Sequence, residues 1–303
     1  MPVVVALGPV DRPIVEQHLG ADHVLVSDPS AAELAVAEGA IVRGNVTVDR
    51  ALFDSMPHLR VLARTGVGTE LVDLDVARER SIPVVITPGS NTNAVAEGAL
   101  AMMLHLSKNL AVLTELVRDG RWGERDNFPL GDIDGSTVGI VGWGRIGQRL
   151  GALAGALGAR VRAFDPVAPI PADIKSDTLD ELLADSDFVS LHAPLIDSTR
   201  HMINDESLAV IKAGAILINC GRGPLIDIDA VHRALVSGQL AGVGLDVFDE
   251  EPPAIHPIMS DPRVVMTPHV MGLTRKAAAQ TYADAADGIR AVLEGKAPNA
   301  TAS

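Results

Sequence analysis

Residues 136–165 read STVGIVGWGRIGQRLGALAGALGARVRAFD, and this stretch decides the fold. Val138 to Val141 is a short apolar run of strand character, Gly142, Gly144 and Gly147 form GxGxxG, and the Ala/Leu/Gly segment to Leu157 has helical composition. Ala159 to Phe164 is the next strand and delivers Asp165 at its end. A GxGxxG alone is often only a tight turn, but between a strand and a helix it suits a dinucleotide. Gly142 makes the turn, Gly144 lets the backbone approach a pyrophosphate, and Gly147 lets the helix pack on the strand. The helix amino terminus, opened by Arg145 and Ile146, then faces the phosphates. Asp165 lies 18 residues beyond Gly147, where a carboxylate can accept from both hydroxyls of an adenosine ribose and repel a 2′-phosphate. NAD(H) is therefore expected over NADP(H). The competing reading of Asp165, a strand-end cap on a turn, ranks lower because Pro166 follows at once.

Downstream, FVSLH (188–192), AILINC (215–220), GVGLDV (242–247) and VVMTP (264–268) alternate with helical stretches, the pattern of a doubly wound α/β domain. Upstream, VVVAL (3–7), AIVRG (40–44), LRVLA (59–63) and IPVVI (82–86) predict a second parallel sheet. The character changes after Pro88 and Gly89, and Val95 to Leu116 reads as one uninterrupted helix of about six turns. Arg275 to Leu293 is again helical, followed by a short tail from Gly295 to Ser303.

The chain has 303 residues, 47% of them apolar, and 25 basic against 39 acidic side chains, a net charge of −14. A field of that sign argues against a protein that tracks nucleic acid or lies on an anionic bilayer, though a few local arginines can still dominate one anion site. The single cysteine, Cys220, cannot form an intrachain disulfide and fits a reducing compartment. With no signal-like amino terminus, and with LAMMLHLSKNL too short to span a bilayer, the expected location is cytoplasmic.

Ligands in such sheets bind beyond the carboxyl ends of the strands. Three candidates fall there: Arg222 in ILINCGRGPLID, the acids Asp246, Asp249, Glu250 and Glu251 in LDVFDEEP, and His269 in VVMTPHVMGLT. Hydride chemistry on a carbonyl beside a carboxylate needs a cation for the anionic oxygens and an acid/base for the hydroxyl proton. A guanidinium suits the first role and an imidazole the second, with a carboxylate partner to fix its tautomer and favour its charged form. Each residue also has a plainer reading, a surface arginine or a satisfied turn histidine. No histidine spacing suggests metal ligation, so no metal is expected.

These motifs together resemble the D-isomer-specific 2-hydroxyacid dehydrogenases. The likeness runs from about Ala40 to Ala279 and is carried by RTGVGTELVDLDVARERSIPVVITPGSNTNAVAE, VGIVGWGRIG, LHAPLIDSTRHMIN, INCGRGPLIDIDAV, GLDVFDEEP and TPHVMGLT. The resemblance implies that Arg222 binds substrate and acts in catalysis, and that Glu251 pairs with the catalytic histidine, His269. It implies that Val67 and Gly68 contact substrate, the latter through its backbone amide. It also implies that Asp165, His192, Pro194 and Asp246 serve the NAD site, Asp246 near the nicotinamide carboxamide. The expected fold is two α/β, Rossmann-like and flavodoxin-like domains with substrate and cofactor in a cleft between them. The substrate domain would comprise 1–98 and 273–303, with the NAD domain as 99–272. Family members are commonly homodimers joined through the nucleotide domain.

Several positions depart from the family pattern. Glu70 and Leu71 stand where Asp-Asn is usual, Ile196 where Thr is usual, and Met271 and Leu273 replace small residues beside His269. With the shorter chain they point away from phosphoglycerate and toward another 2-hydroxy or 2-keto acid. Two alternatives stay open. One is formate- or phosphite-type oxidation on the same scaffold, against which the acid Glu251 argues; the other is a non-enzymatic, NAD-sensing corepressor.

Overall fold

The computed structural model describes residues 1–44 and 46–302. Two compact units result, Met1–Asn91 with Leu273–Ser303, and Thr92–Gly272. The first break falls at 91/92 and not at 98/99, because the helix Thr92–Ser107 begins at once and buries Val95, Ala96, Ala99, Met102 and Met103 in the second unit's core.

In the first unit β1 (Val3–Leu7), β2 (Val24–Ser27), β3 (Ala37–Val42), β4 (Val61–Arg64) and β5 (Val84–Val85) form a parallel sheet in the order β2-β1-β3-β4-β5. That order is flavodoxin-like. β2 escapes a sequence reading because it is four residues long with only Leu25 buried. The helix Arg275–Leu293 covers one face, packing Tyr282, Ala285, Ala286 and Ile289 with Val4, Ala6, Ile41 and Val61. The tail is not loose: Ile86 N donates to Ala300 O at 3.2 Å and Ala302 N to Val84 O at 2.8 Å. Ser303, the end of the expected tail, lies outside the described residues.

In the second unit β6 (Thr137–Val141), β7 (Arg160–Phe164), β8 (Phe188–Leu191), β9 (Ala215–Asn219), β10 (Leu240–Leu245) and β11 (Val264–Met266) form a parallel sheet in the order β11-β10-β9-β8-β6-β7. Every residue of β6, β8 and β9 is buried, which is why these strands read as continuous and not alternating apolar runs. Strand order reverses between β6 and β8, the place where sheets of this kind open a ligand crevice.

The single helix expected over 95–116 is two, Thr92–Ser107 and Leu110–Arg118, meeting at 53°. Asn109 turns the corner with φ +48, a conformation that asparagine tolerates better than most residues. Its Nδ2 donates to Pro129 O at 2.8 Å while Gly131 N donates to Ser107 O at 2.8 Å, so the following loop captures the first helix's end. Among the described residues no single helix is long and apolar enough to cross a membrane. This bent pair reaches the length and composition only jointly, and half the residues of its first member are buried in the core.

Candidate functional site

The carboxyl edge of the second unit's sheet gathers most of the expected residues. Gly142 follows β6 with φ +97, and a Cβ there would stand 2.6 Å from both His192 C and Ala193 N. A Cβ on Gly147 would stand 2.1 Å from Gly142 O, so the helix Arg145–Ala156 can approach β6 only through a bare backbone. Gly144 differs: nothing lies within 4 Å of its Cβ position, and it caps that helix without a side-chain hydrogen bond. An open backbone leading to uncapped first-turn amides fits a pyrophosphate. Arg145 is exposed at the first helical position, and Ile146 packs against the core below.

Asp165 follows β7 and does cap a turn, the reading ranked second above. Its Oδ1 accepts from Val167 N and Ala168 N, each at 2.8 Å, and its Oδ2 from Trp143 N at 2.8 Å. Partial burial pushes its pKa up, but these three backbone bonds outweigh that and hold the carboxylate below its ordinary range. With about four acceptor sites on a carboxylate, one remains on Oδ2, fewer than two ribose hydroxyls would fill separately. The carboxylate therefore also ties the second strand's end to the glycine turn.

His192 follows β8, with Nε2 2.9 Å from Ser190 Oγ and Nδ1 buried without a partner among the described residues. Burial pushes its pKa down to about 4, leaving the ring neutral at physiological pH and unsuited to proton donation there. Because the folded value lies below the unfolded value of 6.5, the stability held by the neutral ring is complete above about pH 6.5 and is lost as pH falls toward 4. His192→Gln should flatten that part of the acid limb in denaturant unfolding of the cofactor-free protein, by at most about 3 kcal/mol. An unchanged slope over that window would refute the buried neutral ring. Pro194, two residues on, is exposed, and its carbonyl accepts from Thr199 Oγ1 at 2.7 Å.

Arg222 rises from the turn after β9. Asn219, fully buried, shapes that turn from both sides: Nδ2 donates to Arg222 O at 2.9 Å and Oδ1 accepts from Gly221 N at 3.1 Å. Arg222 Nη1 donates to Gly221 O at 2.9 Å. The next residue, Gly223, lies so close to the following strand's loop that a Cβ would stand 1.9 Å from Phe248 C. The arginine turn is thus pressed directly onto the loop that carries Glu251.

Glu251 Oε1 accepts from Phe248 N at 3.2 Å, and Oε2 lies 2.7 Å from His269 Nδ1. The His269 side chain is about half exposed, and its Nε2 has no hydrogen-bond partner among the described residues. His269 adopts φ +53, a strained conformation for a residue with a Cβ, of order 1–3 kcal/mol. What holds it is Asp246, 2% exposed after β10. Asp246 Oδ1 accepts from Thr267 Oγ1 at 2.6 Å and Val270 N at 2.9 Å, and Oδ2 accepts from Met271 N at 3.2 Å. Asp246 therefore stands under the His269 loop.

Cys220, on the same edge, is inert: burial and then the Asp246 charge push its thiol up to about 12. No group of three or more His, Cys, Asp or Glu among the described residues could hold a metal ion.

Val67 and Gly68 belong to the other unit, in the loop after β4. Gly66 N donates to Thr87 Oγ1 at 2.8 Å and Arg64 Nε to Gly68 O at 3.2 Å, which fixes the loop at both ends. Among the described residues no acceptor meets the Gly68 N–H. The sequence reading gave no separate role to Asn219 or Thr267, and took Gly223 only as one of the two glycines flanking Arg222. Asn219 and Gly223 did carry a signal, as the ends of the NxxRG pattern around the candidate arginine, whereas Thr267 carried none.

The family described as D-isomer specific 2-hydroxyacid dehydrogenase, NAD binding domain, matches residues 100–271. A D-3-phosphoglycerate dehydrogenase of Mycobacterium leprae is 40% identical over 269 residues, covering 88% of this chain but 51% of that protein. The chain thus spans about half the length of that relative. A hydroxypyruvate reductase of Thermotoga maritima is 35% identical over 268 residues, covering 87% of this chain and 85% of that one. The crystal structure of the TT0316 protein from Thermus thermophilus superposes with a TM-score of 0.91 at 33% identity, covering 99% of this chain and 100% of the other.

Proposed function

Because the chain belongs to the D-isomer-specific 2-hydroxyacid dehydrogenase family, we propose that it interconverts a D-2-hydroxy acid and the matching 2-keto acid, with NAD(H) as cofactor. The observation that carries this reading is the His269–Glu251 pair at 2.7 Å, on the same sheet edge as Arg222 and the open glycine turn. When bound, the reduced cofactor supplies the hydride. Arg222 binds the substrate carboxylate and steadies the carbonyl oxygen as negative charge develops on it. Glu251 holds Nδ1, so His269 gives a proton from Nε2 to the alkoxide in reduction and takes it from the hydroxyl in oxidation.

Gly142, Gly144, Arg145, Ile146 and Gly147 hold the pyrophosphate side of the cofactor. Asp165 takes a ribose hydroxyl, while His192, Pro194 and Asp246 complete the cofactor's surroundings. The unit with Val67 and Gly68 serves as the substrate domain, the Gly68 amide being a donor for the carboxylate. In the second unit a cavity of about 1330 Å³ opens at the opposite, amino end of the strands, lined by Leu110, Phe128, Asp187, Leu240 and Arg263. Leu110, Val117, Trp122 and Leu130 in that region are exposed, and we assign this face to a second copy of the chain in a homodimer. The lone buried cysteine suits a cytoplasmic home.

A panel of glyoxylate, hydroxypyruvate and pyruvate with NADH and NADPH tests the reading, with sedimentation of the same sample. Turnover of at least one acid, with higher kcat/KM for NADH and a dimer in solution, is expected. No turnover in either direction would leave a cofactor-binding protein and end the enzymatic assignment. Equal or better use of NADPH would end the role of Asp165, and a monomer would end the assembly.

A further inference from the structure

Gly98 is buried in the helix Thr92–Ser107, and the Met271 side chain lies across its bare backbone. A Cβ on Gly98 would stand 2.5 Å from Met271 Sδ, 2.8 Å from Cγ and 2.9 Å from Cβ. The first two atoms could swing away by rotation about the side-chain bonds, since methionine is flexible. The Cβ cannot: it moves only with the Met271 backbone.

That backbone is the far end of the span carrying His269. Met271 N is bound by Asp246 Oδ2 at 3.2 Å, Val270 N by Oδ1 at 2.9 Å, and His269 between Thr267 and Val270 sits in the left-handed region. A strained residue persists only where its surroundings over-determine it. Asp246 supplies the polar half of that restraint, from beneath. The contact at Gly98 supplies an apolar half, from the helix.

We propose that Gly98 and Met271 form a seat that positions His269, Met271 being the positioning residue and Gly98 the notch that admits it. The proposal rests on His269 being the acid/base. Filling the notch moves the Met271 backbone by several tenths of an ångström, and the imidazole is two residues away. A misplacement of about 1 Å at a reacting group can cost roughly 100-fold in rate, so Gly98→Ala should lower kcat about tenfold. The cofactor's affinity, set at the glycine turn, should change by less than about twofold. Alanine raises intrinsic helix propensity over glycine, so a loss here cannot be charged to a weaker helix.

The test measures kcat, KM and NADH affinity with whichever of the three 2-keto acids above turns over best, in Gly98→Ala, Met271→Gly and the double variant. The double variant removes the atoms that the new methyl would strike, and should recover at least about threefold in kcat over Gly98→Ala. A loss under about threefold in Gly98→Ala, or a double variant no better than the single, overturns the seat. If Gly98→Ala does not fold, Met271→Gly alone decides: kcat should fall with NADH affinity kept, and an unchanged kcat overturns the proposal. His269→Ala separates the two readings. Full activity there removes the acid/base on which the seat rests, whereas loss there with none in Gly98→Ala removes the seat alone.

Discussion

His269→Ala lowers kcat for 2-keto acid reduction by about 100-fold or more, the usual contribution of a positioned general acid, and leaves NADH affinity within about twofold. His192, the other imidazole named for the site, is not suited to take over. His192 is held neutral by burial down to about pH 4, and its Nε2 is engaged by Ser190. Of these two rings, His269 alone presents an exposed nitrogen without a partner among the described residues, while its other nitrogen is fixed by Glu251 at 2.7 Å. The loss should appear in both directions, since the group that donates in reduction must accept in oxidation. Near-normal kcat in the purified variant would move the proton chemistry to another group and withdraw the role given to Glu251.

Arg222→Ala should cost more in kcat/KM, about 100- to 1,000-fold, because a truncated charge-assisted pair in a partly buried site typically loses 2–5 kcal/mol. Both parameters should suffer: KM rises as the substrate carboxylate loses its cation, and kcat falls because that cation also meets charge that grows during reaction. Arg222→Lys should restore only part, since an ammonium keeps the charge but lacks the planar fork. NADH affinity should be nearly unchanged, as the turn bearing Arg222 is built by Asn219 and Gly223 and not by the glycine turn. A kcat/KM within about threefold of the parent enzyme would show that substrate is held elsewhere.

Much of the site was legible because its parts are local. GxGxxG states its own backbone requirements, and the geometry gives each glycine a separate reason: a positive φ at Gly142, open space at Gly144, contact with Gly142 O at Gly147. Buried parallel strands announce themselves as apolar runs, and their ends mark where candidate ligand residues stand, so Arg222, His269 and a group of four acids could be named from their places after β9, β11 and β10, while the choice of Glu251 among the acids came from the family resemblance. β2 and the break at Asn109 were not legible. A four-residue edge strand carries too few buried positions for a pattern, and the break depends on Pro129 and Gly131, some twenty residues away.

The sequence by itself therefore determined the parallel α/β class, the glycine turn and the placing of the candidate residues after strands of one sheet. These follow from glycine's conformational freedom, from periodicity and from strand direction. Tertiary structure alone decided which group restrains which. Asp165 spends three acceptor positions on backbone amides, Asp246 holds the strained loop of His269, Gly223 presses the arginine turn onto the Glu251 loop, and Met271 rests on Gly98. Each of these pairs atoms from different turns of the fold, at separations set by packing. No spacing along the chain encodes such contacts, because a hydrogen bond or an excluded Cβ depends on ångströms that exist only once the sheet and helices are assembled.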